Sequence, residues 1–107
     1  MGTYAGFEAA HRAVLTANSE TLSGNKTLYV DCDDIQVLDP GGSGRDVTLP
    51  AAADSGGRII FIVNAADGAE DLTVKDGATT VITVSQNERG IVWCDGSNWY
   101  GLMGAKD

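Results

Sequence analysis

Hydrophobic and polar positions change their spacing once along this chain, near Lys26. Upstream, Tyr4, Phe7, Ala10, His11, Val14 and Leu15 fall on one face of a helix, but the stripe is thin. Gly2 and Gly6 interrupt it and no firm cap precedes it. Thr16 to Asn25 is polar and turn-rich. The pattern predicts an N-terminal arm over residues 1–25, carrying a few apolar anchors and ordering against a surface. The competing expectation is a short helix packed on its own domain.

From Lys26 onward the period is that of β-structure, giving a predicted β-domain over residues 26–107. Thr27–Val30 and Asp34–Leu38 read as strands, followed by a loop at Pro40–Gly44. Asp46–Leu49 alternates apolar with polar residues and stops at Pro50. Arg58–Val63 is apolar on both faces, the pattern of a central strand covered from two sides. Asp71–Lys75 and Thr80–Val84 form a hairpin about Asp76-Gly77. Arg89–Cys94 and Trp99–Met103 form another about Asp95–Asn98. Covering both faces of one strand requires two layers. The predicted fold is therefore all-β: a small antiparallel β-sandwich or barrel of about seven or eight short strands with an N-terminal arm.

Size and composition sharpen this picture. A chain of 107 residues holds one domain and buries a modest share of its surface. Part of its stability is expected from a partner or from copies of itself. Fourteen glycines suit tight turns between short strands. The net charge of −8 is concentrated between Asp31 and Asp76, where ten acids face three bases. Such a surface repels phosphate backbones and anionic headgroups, so neither nucleic acid nor membrane is an expected partner. The longest apolar run, Ile59–Val63, is too short to cross a bilayer as a helix. The N-terminus lacks the basic and apolar regions of a signal peptide. Cys32 and Cys94 have neither metal-motif nor disulfide-framework spacing and are expected to be reduced.

No catalytic constellation emerges. The only histidine, His11, lies in the predicted arm, where a preorganised site is least expected. Asp31, Asp33 and Asp34 could bind calcium, but they lack the order of a calcium loop, and a solvated turn is the better reading. Gly41–Arg45 is not followed by a Gly-Lys-Ser/Thr sequence, and Asp46 would repel a phosphate. Trp93, Trp99 and Tyr100, beside Asp95 and Asn98, suit either a sugar platform or, preferably, core or subunit interface. The expectation is a binding protein with no enzymatic activity, no cofactor and no metal.

Val47-Thr48-Leu49-Pro50, then Gly57 to Asn64, then the closing Val92 to Tyr100 segment with its Trp-Cys-Asp-Gly-Ser-Asn-Trp-Tyr run resemble a pattern of tailed-bacteriophage virion proteins. The resemblance covers roughly residues 26–104. The pattern occurs in capsid decoration (cement) proteins and in tail-fibre and spike modules. A short chain that begins with methionine and ends soon after its last strand looks like the former. The resemblance implies a homotrimer on the outer capsid surface, made in the host cytoplasm, that clamps neighbouring major capsid proteins. It implies Tyr4, Phe7, Val14 and Leu15 as capsid-binding anchors, and Phe61, Trp93, Trp99 and Tyr100 as subunit interface or core. The alternative it leaves is a tail module binding a receptor or glycan.

Overall fold

A computed structural model describes residues 14–104, and within them lie nine strands in two sheets. The first six strands alternate between the layers. β1 (Ala17–Thr21), β3 (Ile35–Asp39) and β5 (Ile59–Asn64) enter one sheet; β2 (Lys26–Thr27), β4 (Arg45–Thr48) and β6 (Leu72–Asp76) enter the other. β7 (Thr79–Val84) folds back on β6, and β8 (Arg89–Cys94) and β9 (Trp99–Gly104) return to the first sheet. The orders are β1-β3-β5-β8-β9 and β2-β4-β6-β7.

The two-layered all-β architecture is the expected one, with nine strands rather than seven or eight. Its pairing is mixed. β1–β3, β3–β5, β2–β4 and β4–β6 are parallel; β5–β8, β6–β7 and β8–β9 are antiparallel. Each crossing between layers sends the next strand of a sheet back in the same direction, so the first half winds as three coils. Only the second half is built of hairpins.

β-structure also starts earlier than the boundary at Lys26. β1 lies inside the expected arm, and Leu22 just after it is buried, its N–H donating to the Asp39 carbonyl at 2.7 Å. The polar composition of Ala17–Thr21 fits an edge strand, half of whose residues face water. The expected strand Thr27–Val30 is truncated for a related reason. Leu28 is buried and continues the ladder to the Thr48 carbonyl, but the chain must then cross to the other sheet. Tyr29 and Val30 are left exposed in a turn closed by Cys32 N–H on the Tyr29 carbonyl.

The core between the sheets is formed by inward residues of alternating strands. Leu38, Val47, Ile60, Ile62, Leu72, Val74, Val84 and Val92 have no exposed surface. Each such burial contributes about 1.5–3 kcal/mol before chain entropy is set against it. Two polar side chains sit among them fully bonded. Asn64 donates to the Glu70 and Val84 carbonyls and accepts from Ala66 N–H, all at 2.8 Å. Gln36 donates to the Asp33 carbonyl and accepts from Asn18. Gly90 and Gly101 admit Ile82 from the facing sheet: a Cβ at Gly101 would collide with one Ile82 methyl group.

Candidate interaction surface

Strand alternation decides which expected site residues come together. In β8 and β9 the directly paired residues Trp93 and Tyr100 point outward, while Cys94 and Trp99 point between the sheets. Trp99 is a core residue at 6% exposure, its indole N–H donating to the Pro50 carbonyl at 2.8 Å. Trp93, at 39% exposure, stacks on Tyr100 with ring centroids 6.2 Å apart and planes at 28°. The aromatic cluster is thus split between the two faces, and a platform of all three rings does not form.

Phe61 joins Trp93 and Tyr100 on the outer face. The register runs straight across the five-stranded sheet: Ala17 beside Ile35, Ile35 beside Phe61, Phe61 beside Ile91, Ile91 beside Leu102. A second row places Ile59 beside Trp93 and Trp93 beside Tyr100. A third places Val37 beside Val63 and Val63 beside Arg89. Nearly every outward position from β3 to β9 is therefore apolar. Ile59, Trp93, Tyr100 and Leu102 are openly exposed, Leu102 at 62%. An apolar depression of about 300 Å³ lies along Phe61, Val63, Ile91 and Leu102. The expectation that Arg58–Val63 is covered on both sides holds for its inner face, against β6 and β7. Among the described residues nothing covers the outer one.

The anchors expected in the arm are divided. Tyr4 and Phe7, like His11, lie outside the described residues. Val14 and Leu15 immediately precede β1 and are exposed.

The β8–β9 turn is organised by Asp95. Its carboxylate accepts the N–H groups of Ser97 and Asn98, each at 2.8 Å, and the Tyr100 hydroxyl at 3.1 Å. Those backbone bonds, with Asn98 the stronger, hold the carboxyl below the usual range of an aspartate. The tyrosine beside Trp93 is tied to this turn, which fixes the ring on the outer face.

The acidic run behaves as a loop tie. Arg58 donates from Nη1 to the Val30 carbonyl at 2.7 Å and from Nη2 to the Cys32 carbonyl. Its Nε lies 3.3 Å from an Asp34 oxygen, close enough for charge attraction but too poorly aligned to count as a hydrogen bond. Asp31, Asp33 and Asp34 do not gather around a common point. The carboxylates that do are Asp39, Asp67 and Glu70, whose oxygens lie within 4.8 Å of one another. Oxygen donors suit a hard cation, yet Asp39 already accepts Gly41 N–H at 2.9 Å and Glu70 lies 3.4 Å from Gly42 N. Asp39 and Glu70 fasten the glycine-rich loop, whose Gly41 has a positive φ of 78° and passes against the Leu22 carbonyl. That loop presents acid where a phosphate would need N–H groups.

Both cysteines are free, Cys94 buried and Cys32 half-buried. Burial pushes the Cys32 thiol above its ordinary range, with the Arg58 charge pulling the other way. A thiol so placed is a weak nucleophile at neutral pH.

No protein-family model matches the chain, and searches of curated proteins and of solved structures return no similar one. The outer face of the five-stranded sheet is the site to be explained from its own chemistry. Its apolar character was legible in the Ile59–Val63 run. The contribution of Ile35, Val37, Ile91 and Leu102 was not, because it depends on pairing between strands far apart in sequence.

Proposed function

We propose that the chain is a capsid decoration (cement) protein of a tailed bacteriophage, a homotrimer on the outer surface of the head that stabilises contacts between major capsid proteins. The observation that carries this reading is the apolar outer face of the β1-β3-β5-β8-β9 sheet, which no other described residue covers. An apolar sheet face left open in this way suits a subunit whose burial is completed by assembly. The resemblance of Val47–Pro50, Gly57–Asn64 and Val92–Tyr100 to phage virion modules supplies the setting. Many small copies, each contributing a few kcal/mol across capsomer seams, stabilise a shell without chemistry. Under this reading Tyr4, Phe7, Val14 and Leu15 are the anchors on the shell. The major capsid protein and the chain itself are the partners, and the acidic loops face solvent or basic patches of the shell.

Co-sedimentation with expanded heads tests it. The protein is expected to pellet with heads, to saturate at a fixed ratio to the capsid protein, and to raise the temperature at which heads release DNA. Binding to host cells with no affinity for heads would replace this reading with that of a tail module recognising a receptor or glycan.

A further inference from the structure

We propose that the outer face of the five-stranded sheet is where the chain meets other copies of itself, three sheets closing a ring in which the β1 edge of each protomer lies against the β9 edge of the next. The number three rests on the reading above. The choice of face and of edges rests on the sheet.

Charge favours a copy of this chain as the occupant. A protein of net charge −8 repels its own copies. Among the described residues the outward strand positions of this sheet carry one acid, Asp39, and one base, Arg89. Asp67 and Glu70 gather beside Asp39 at one end and Asp95 beside Tyr100 at the other, so the apolar middle of the face is where copies approach with least repulsion. The patch is also contiguous: Ile59, Trp93, Tyr100 and Leu102 are exposed side by side across paired strands, and an apolar patch of that kind on a monomer marks an interaction surface.

The edges select the arrangement. β1 and β9 are the two open edges of the sheet, and two antiparallel steps from β5 leave β9 running in the same direction as β1. Turning one protomer about an axis along the strands brings its β1 beside a neighbour's β9 as a parallel pair at matched height. Every open edge of this sheet is then covered. The edges also differ in bulk: β1 presents the exposed Ala17 and Ser19, β9 presents Tyr100 and Leu102. Small side chains on one edge leave room for large ones on the other, where neighbouring sheets meet at an acute angle.

Phe61 occupies the middle of the central row. With neighbouring edge strands ~4.8 Å apart, the axis of a three-sheet ring lies ~8 Å from the middle of each sheet, a depth that an inward phenylalanine from each side fills. Two copies stacked β5 on β5 would hold their sheets ~10 Å apart and drive both Phe61 rings into one volume.

Sedimentation equilibrium on the full chain, with no heads present, is the first measurement. The expected mass is three times the 11.1 kDa of one chain. Leu102→Glu, at a position where a monomer tolerates the charge, should give a folded monomer with unchanged far-ultraviolet dichroism. Tyr29→Glu, at an exposed residue off this face, should remain trimeric. A chain carrying both Ala17→Cys and Leu102→Cys should run as a covalent trimer after oxidation, whereas the parent with Cys32 and Cys94 should not. A monomeric parent, a cross-linked species that stops at the dimer, or a trimer indifferent to Leu102→Glu would overturn the inference. So would a parent that oligomerises only after deletion of residues 1–13, because the face would then have its cover within the chain. A monomer that still binds heads refutes this inference and the homotrimer with it but spares attachment to the head; a trimer that ignores heads does the reverse.

Discussion

Two tryptophans a few residues apart have opposite duties, and the difference is measurable. Trp99 fills the core and satisfies the Pro50 carbonyl, whereas Trp93 lies on the open face. Trp99→Ala should cost about 3–5 kcal/mol in urea unfolding. Trp93→Ala, made in a Leu102→Glu background so that only the monomer is observed, should stay within about 1 kcal/mol. Equal losses would mean that the face is not bare in the monomer. Asp95 adds a pH test at the same hairpin. Its folded carboxyl is held below the ordinary range, so its contribution is present above the unfolded value and is lost as pH falls through the folded one. Its carboxylate carbon resonance should titrate lower than that of a free aspartate, and Tyr100→Phe, which removes one donor, should move it part of the way back.

At the scale of elements, what was legible follows from where the physical signal sits. The β6–β7 and β8–β9 hairpins are announced by Asp76-Gly77 and Asp95-Gly96, local turns whose glycines take positive φ of 61° and 99°. The parallel coils have no such marker. Ala17 and its partner Ile35 are 18 residues apart, and Ile35 and Phe61 are 26 apart; no turn residue encodes either pairing. β1 was hidden because an edge strand with polar residues looks like a linker. The outer face was hidden because its apolar rows exist only once the register is known. The close approach at Gly90 and Gly101 was hidden too, since the reason for each glycine is Ile82 in the other sheet. Gly101→Ala should therefore destabilise the domain by about 1–3 kcal/mol through overpacking. β1 makes a parallel case: deletion of residues 1–13 should leave the cooperative unfolding of the β-domain intact, whereas deletion through Thr21 removes the ladder partner of β3 and should lower the melting temperature.

For the whole molecule, charge and apolar surface are segregated, and salt should separate the two kinds of contact this implies. Three copies, each of net charge −8, repel one another wherever they meet, while the proposed contact itself is nearly uncharged. Raising ionic strength from about 0.01 M to 0.15 M shortens the screening length from roughly 30 Å to 8 Å. Self-association should therefore tighten with salt, because screening removes a penalty and leaves the apolar burial unchanged. Attachment to a shell through the acidic loops would be opposite in sign, since screening there weakens an attraction. Measuring trimer dissociation and head binding across the same salt series gives two slopes. Opposite slopes would assign the apolar sheet face to the trimer and the Asp31–Asp76 surface to the shell. A trimer that loosens as salt rises would place attractive charge pairs in its interface, for which the outward strand positions of this face offer only Asp39 and Arg89 among the described residues.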